Sequence, residues 1–195
     1  MSIPDIPELM QRVAIIGSSG SGKSTLAVRL SAVLGCPHLE LDSYRFLPQW
    51  QVRHNDEFRV LVDTATASQC WVVDGNYRVT RDLTWGRADT LIWLDYRLSL
   101  VLWRLTRRTI GRTVNRTELW DTGNRDNIFK HFRLSDESLY YWVVKTYWQR
   151  KRDMPGLLAM PEHAHLHFVH LTNPRQTEAW LNAIQETCTA EPLKK

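Results

Sequence analysis

Cysteine is scarce in this chain. Cys36, Cys70 and Cys188 are scattered through 195 residues without C-x-x-C spacing, which excludes a disulfide framework and a structural zinc site. No apolar run is long enough to cross a bilayer. The first ten residues carry no export signal, since Asp5 and Glu8 interrupt them and Pro4 and Pro7 stiffen them. Internal repeats and low-complexity tracts are also missing. The expectation is a cytoplasmic chain with reduced thiols and no membrane partner. Lysine is nearly missing from one stretch: between Arg97 and Arg133 there are eight arginines and one lysine, against Glu118, Asp121 and Asp126. Mere solubility is served equally well by lysine, whereas the rigid arginine fork suits bidentate contact with phosphate.

What is there fits one domain spanning residues 1–195, with an apolar fraction of 43% and nine tryptophans. Glycine is sparse, yet three of the nine glycines fall between Gly17 and Gly22. The segment Gly17-Ser18-Ser19-Gly20-Ser21-Gly22-Lys23-Ser24-Thr25 satisfies the phosphate-loop pattern G-x-x-x-x-G-K-[ST]. Glycines let successive backbone N–H groups turn inward on phosphate oxygens, and the following helix presents its positive end to the same anion. Lys23 would reach the β- and γ-phosphates and the Ser24 hydroxyl would ligate Mg2+. The flanks agree: Val13-Ala14-Ile15-Ile16 reads as a strand buried on both faces, and Leu26, Leu30, Val33 and Leu34 recur at helical spacing before a stop at Gly35 and Pro37. The ligand class is a nucleoside triphosphate with Mg2+, taken here as ATP.

Further strands are predicted at His38–Asp42, Cys70–Asp74, Thr90–Asp95 and His165–Leu171. They alternate with helices at Leu98 to about Thr109, Ser135–Asp153 (capped by Ser135) and Pro174 to about Thr187. This pattern predicts a three-layer α/β/α P-loop fold with a five-stranded parallel sheet in the order 2-3-1-4-5. Residues 43–68, with Phe58, Val60, Leu61 and Val62 as a short apolar face, read as an acceptor-binding segment. Residues 111–131 read as a small lid and residues 189–195 as a frayed tail. Strand ends carry ligand sites in such sheets, so Asp74 suits a Walker-B role in holding Mg2+, and Asp42 lies where an acceptor hydroxyl would be oriented or deprotonated. From Arg104, Arg108, Arg112 and Arg125 at least two are expected on phosphate. His163, His165 and His167 alternate, which on a strand reads as the wet side of an edge strand in preference to a metal site. Trp120, inside the basic loop, is the better candidate for stacking on a ligand, because Trp142 and Tyr147 sit at helical core spacing.

The segment Asp74-Gly75-Asn76-Tyr77-Arg78-Val79-Thr80 resembles the Asp-Gly-Phe-Pro-Arg-Thr segment of adenylate kinases. Arg104 and Arg108 resemble the pair with which those enzymes grip the donor. A closer resemblance is to the adenylate-kinase-like group labelled "DNA topology modulation protein". It rests on Leu41-Asp42, Asp74-Gly75-Asn76-Tyr77, Arg87-Ala88-Asp89-Thr90 and Glu118-Leu119-Trp120-x-x-Gly123-Asn124-Arg125. The resemblance implies a kinase moving the γ-phosphoryl of ATP to a small acceptor, either a nucleotide or a hydroxylated metabolite. Lys23, Asp42, Arg104 and Arg108 would be catalytic. Asp42, Tyr44, Arg45, Asp74, Asn76, Arg78, Arg112 and Arg125 would serve the acceptor. The group's label and an isoelectric point near 9.1 set a second reading beside it, an NTP-dependent nucleic-acid-binding or regulatory protein. Such a protein would show steeply salt-dependent DNA binding.

Overall fold

The computed structural model describes residues 10–125 and 139–190. The expected helix cap at Ser135, the lid beyond Arg125 and the tail from residue 191 lie outside the described residues. Strand β1 (Arg12–Gly17) buries Val13, Ala14, Ile15 and Ile16 to 1% exposure or less, as a strand apolar on both sides must in a covered sheet. The phosphate loop leads into α1 (Lys23–Leu34). Gly35 ends that helix in the left-handed conformation (φ 67°), its N–H bonding to the Ser31 carbonyl.

β2 (His38–Glu40) is shorter than expected. Leu41 and Asp42 leave the sheet and open a short helix, α2 (Leu41–Arg45), so Glu40 is the acid that ends the strand. Packing explains the change: Leu41 is 2% exposed and its Cβ lies only 2.9 Å from where a Cβ on Gly75 would stand. After a 3-10 turn at Pro48–Trp50 comes α3 (Asn55–Ala65). Phe58 and Val62 are buried there, whereas Val60, expected on the same face, is 65% exposed because it lies half a turn away.

β3 (Trp71–Asp74), a second 3-10 turn at Arg78–Thr80, α4 (Arg81–Thr84) and β4 (Thr90–Leu94) follow. α5 (Leu98–Val114) runs past Thr109 and through Gly111; one glycine costs only about 1 kcal/mol inside a helix that packs well. The first residues of the expected lid are therefore helical, and its described remainder is an antiparallel hairpin of β5 (Glu118–Leu119) and β6 (Asn124–Arg125). α6 (Leu139–Leu158) continues beyond Asp153 through Pro155, with Met154 drawn into the core. Trp142 of α6 points outward at 46% exposure, while Val143 and Tyr147 are buried. β7 (His167–Leu171) and α7 (Pro174–Ala190) complete the chain, and α7 takes in Thr189 and Ala190 of the expected tail.

The five-stranded sheet has the order β2-β3-β1-β4-β7, with every neighbouring pair parallel. This is the expected order, the β5–β6 hairpin being inserted in the chain before the fifth strand. Side chains alternate between two cores. Val13, Ile15, Val72, Ile92, Leu94 and Val169 face α1, α5 and α7, while Ala14, Ile16, Val73, Leu91 and Trp93 face α3 and Met154 of α6. His163 lies on a 3-10 turn, buried against Trp85 at a ring separation of 5.3 Å, so the three alternating histidines do not share a strand face. No group of three metal-ligating side chains is found among the described residues, and no helix among them is long and apolar enough to cross a membrane.

Candidate active site

The loop between β1 and α1 lies at the carboxyl edge of the sheet, where open α/β sheets bind ligands. Gly17, Gly20 and Gly22 have φ of 154°, 86° and 97°, a region that side chains other than glycine adopt at a cost. A Cβ on Gly20 would stand 2.7 Å from the Val101 carbonyl, and one on Gly17 2.7 Å from the Ser21 hydroxyl, so the turn is packed down onto α5. Ser21 is fully buried and its hydroxyl has no partner among the described residues. Ser19 is half-buried in the turn. Lys23 Nζ donates to the Ser18 carbonyl at 3.1 Å. Burial pushes the Lys23 ammonium down to about 8, with Asp42 and Asp74 acting to raise it and Arg150 and Arg108 to lower it. One cation thus feels both carboxylates and two guanidiniums.

Asp74 is 3% exposed at the end of β3. Ser24 Oγ donates to its Oδ2 at 2.6 Å, and His38 Nε2 lies 2.9 Å from Oδ1. The parallel register sets Glu40 opposite Asp74. On a strand, residues 38 and 40 share a face, so the sequence signal for His38, which was not among the expected site residues, is the placement of two polar residues on β2. Burial raises the Glu40 carboxyl, as do Asp74 and Asp42, while the Trp120 indole and His38 oppose them. Asp42, displaced from the strand end, accepts the Tyr77 hydroxyl on Oδ1 at 2.6 Å. Burial, and then Asp42, hold the Tyr77 phenol well above its ordinary range, so it stays a donor.

On the other side of the loop, a cleft of about 420 Å3 is lined by Gly20 to Thr25 together with Arg104, Arg108, Arg112, Tyr96, Pro174 and Glu178. The three arginines recur every four residues and therefore share one face of α5. Arg104 Nη1 donates to the Ser21 carbonyl at 3.2 Å, and its guanidinium lies 5.4 Å from the Tyr96 ring centroid. Tyr96 is tied to α7 through its hydroxyl, 2.6 Å from Thr177 Oγ1.

Arg150 of α6 was not among the residues expected here. Its Nη1 donates to Ser18 Oγ at 2.6 Å, and burial lowers its pKa while Asp95 acts to raise it. Neighbours hold α6 in place: Lys151 Nζ lies 3.3 Å from Asp95 Oδ1, and the Tyr147 hydroxyl donates to the Tyr96 carbonyl at 3.2 Å. Burial pushes the Asp95 carboxyl up, but His170 at 3.2 Å and Lys151 outweigh it and leave Asp95 below its ordinary value.

The lid hairpin rests on the segment that follows α2. Asn124 makes two hydrogen bonds to it, accepting the Trp50 N–H at 2.9 Å and donating to the Leu47 carbonyl at 2.9 Å. Trp120 stacks on Phe46 (5.7 Å between centroids, 11° between planes), and Trp50 meets both edge-on at 5.6 and 5.9 Å. Trp50 and Trp120 hold φ of 60° and 55°, a conformation in which bulky residues persist only when their surroundings enforce it. Other residues expected on the acceptor side are spread out. Tyr44 is half-buried and its carbonyl accepts Arg53 Nε at 2.9 Å. Arg45 Nη1 donates to Asn55 at 2.9 Å, with its guanidinium 5.1 Å from the Phe58 centroid. The Asn76 amide oxygen is buried, and Arg78 and Arg125 are exposed.

No family model matches the chain, and no curated protein matches it. Among solved structures, it is similar to the shikimate kinase from Acinetobacter baumannii in complex with shikimate, with a TM-score of 0.56 and 16% identity over 96% of this chain and 97% of that one. It is also similar to the shikimate kinase from Aquifex aeolicus, with a TM-score of 0.51 and 14% identity over 94% of this chain and 99% of the other. The shikimate kinase from Bacteroides thetaiotaomicron gives a TM-score of 0.50 and 15% identity over 93% of this chain and 99% of the other. At these identities the likeness is one of fold, and the fold is that of the α/β P-loop kinases over nearly the whole chain.

Proposed function

We propose that this chain is a P-loop kinase that moves the γ-phosphoryl group of ATP to a hydroxyl of a small acceptor. One observation carries the reading. A single phosphate loop separates an arginine-lined cleft from a carboxylate–phenol pair, and Lys23 interacts electrostatically with groups on both sides. The glycine cradle, the orphaned Ser21 hydroxyl and the Ser24–Asp74 pair fit a triphosphate with Mg2+. Ser24, with Asp74 directly or through water, would hold the ion, which when bound supplies positive charge to the β- and γ-phosphate oxygens.

The protein's own groups do the rest. Loop amides and Lys23 hold the phosphates, while Arg104, Arg108 and Arg112 line the donor side. Arg150, already at the loop, would meet the charge that develops on the transferred group. Asp42 would take the proton of the attacking hydroxyl, its carboxylate oriented by Tyr77. The hairpin on residues 46–50 would exclude water, without which ATP is hydrolysed instead. Within these kinases we place the chain beside the adenylate-kinase-like group to which Asp74-Gly75-Asn76-Tyr77 and the lid segment are similar. Three of the eight arginines of the basic stretch line the cleft beside the phosphate loop, which favours the kinase reading over the nucleic-acid one.

The test is ATP binding and transfer by the full chain. Lys23→Ala should abolish MgATP binding. Asp42→Asn should retain it while lowering transfer by about 10²- to 10⁴-fold, the usual worth of a positioned base. Equal loss of binding in both variants would contradict the division of roles.

A further inference from the structure

Resting on the kinase reading of this same site, we propose that the acceptor is an uncharged polyhydroxylated ring. Its hydroxyls would face Glu40 and Asp42, and its apolar face would lie on the aromatic surface around Trp120. Charge is the first ground. Glu40, Asp42 and Asp74 gather at the ends of β2 and β3, close enough for Asp74 and Asp42 both to act on Glu40. A phosphate or carboxylate on the acceptor would meet charge of its own sign there. Two nearby cations are already engaged: Arg45 with Asn55 and the Phe58 ring, and Arg53 with the Tyr44 carbonyl and, at 3.6 Å, Glu57. Arg78 is exposed. His38 is held by Asp74, while Lys23 and Arg150 are on Ser18 of the phosphate loop.

Hydrogen-bonding capacity is the second ground. This side offers acceptors: the Glu40 carboxyl, the Asp42 carboxylate with one oxygen on Tyr77, and the buried Asn76 amide oxygen, which has no partner among the described residues. A ligand that satisfies acceptors must bring donors, and hydroxyl groups do so without charge. The third ground is the aromatic cluster. Phe46 is joined to α2 through its N–H, 3.0 Å from the Asp42 carbonyl, and Trp120 acts on Glu40. An aromatic face beside carboxylates suits a ring with C–H groups on one side and hydroxyls at its edge. In the transfer, the bond from the acceptor oxygen to the γ-phosphorus forms as the bond from that phosphorus to the β,γ-bridging oxygen breaks. ADP leaves with the electron pair, and the hydroxyl proton passes to Asp42 and then to solvent.

A phosphorus NMR screen of the full chain with MgATP tests this in three arms: aldoses and cyclitols, nucleosides, and anionic acceptors comprising nucleoside monophosphates and hydroxy carboxylates. A phosphate ester in either of the first two arms is the expected result, and the arm that responds identifies the ring. Trp120→Ala should then raise the acceptor KM about tenfold, the loss of roughly one good contact, while the KM for ATP changes less than about twofold. Transfer confined to the anionic arm, whether seen as an ester or as the phosphoanhydride of a nucleoside diphosphate, would overturn the proposal and leave phosphotransfer to a small acceptor standing. No ester and no phosphoanhydride in any arm, with MgATP bound, would overturn both.

Discussion

Arg150 and Ser18 stand 132 residues apart in the sequence and 2.6 Å apart in space. That bond puts a guanidinium from α6 directly on the phosphate loop, held there by the Lys151–Asp95 ion pair one residue further along. Arg150→Ala should therefore lower kcat by about 10²- to 10³-fold, the range for removal of one preorganised charge donor, with the KM for ATP nearly unchanged. Arg150→Lys should recover only part of the loss, since a point charge replaces a fork. Steady-state kinetics on the two variants check this. A loss appearing in the ATP KM alone would assign Arg150 to ground-state binding.

Lys23 gives a pH dependence of definite sign. Its ammonium is lowered from 10.5 to about 8 in the folded protein. Between those values the unfolded chain keeps the proton and the native protein has lost it, so stability rises with pH across that window. The penalty for burying the charge is complete below about 8 and is relieved on approaching 10.5. Thermal denaturation should show Lys23→Met raising the Tm of the ligand-free protein at neutral pH, with the gain shrinking through the same window. Triphosphate restores a partner for the charge, so ATP binding near pH 8 should take up a proton, readable by calorimetry in buffers of different ionisation enthalpy. Binding without proton uptake would show that Lys23 is already charged.

The clasp at Asn124 predicts uncoupling. Asn124→Ala removes its two hydrogen bonds to Leu47 and Trp50, each worth about 0.5–1.5 kcal/mol net. The variant should close less often, and the ratio of inorganic phosphate to transferred phosphate should rise about tenfold, within the effect of losing both bonds. A product ratio equal to that of the unmodified chain would mean that closure does not depend on this clasp.

Much of the fold was legible because its signals are local. The glycine spacing, the apolar strand before it and the Gly35 stop all lie within one βα unit. Boundaries failed where tertiary contact decides. Asp42 reads as the end of an apolar strand, yet Leu41 turns into the core beside Gly75 and takes Asp42 into a helix. The helical period reads as ending near Thr109, yet α5 runs on through Gly111 to Val114. The proposed donor side was readable in part, from the four-residue spacing of Arg104 and Arg108; Arg112, expected on the acceptor side, lines the same cleft because α5 runs on past Thr109. Arg150, His38 and the Trp120–Phe46 stack were not readable, because each depends on which distant elements meet at the carboxyl edge of the sheet.

The fate of the γ-phosphate tests the central claim most directly. With MgATP and an accepted hydroxyl compound, phosphorus NMR should show one equivalent of phosphate ester formed per ADP, and Asp42→Asn should suppress the ester without abolishing nucleotide binding. ADP accompanied only by inorganic phosphate across every class of acceptor would contradict the assignment of this chain as a small-molecule kinase.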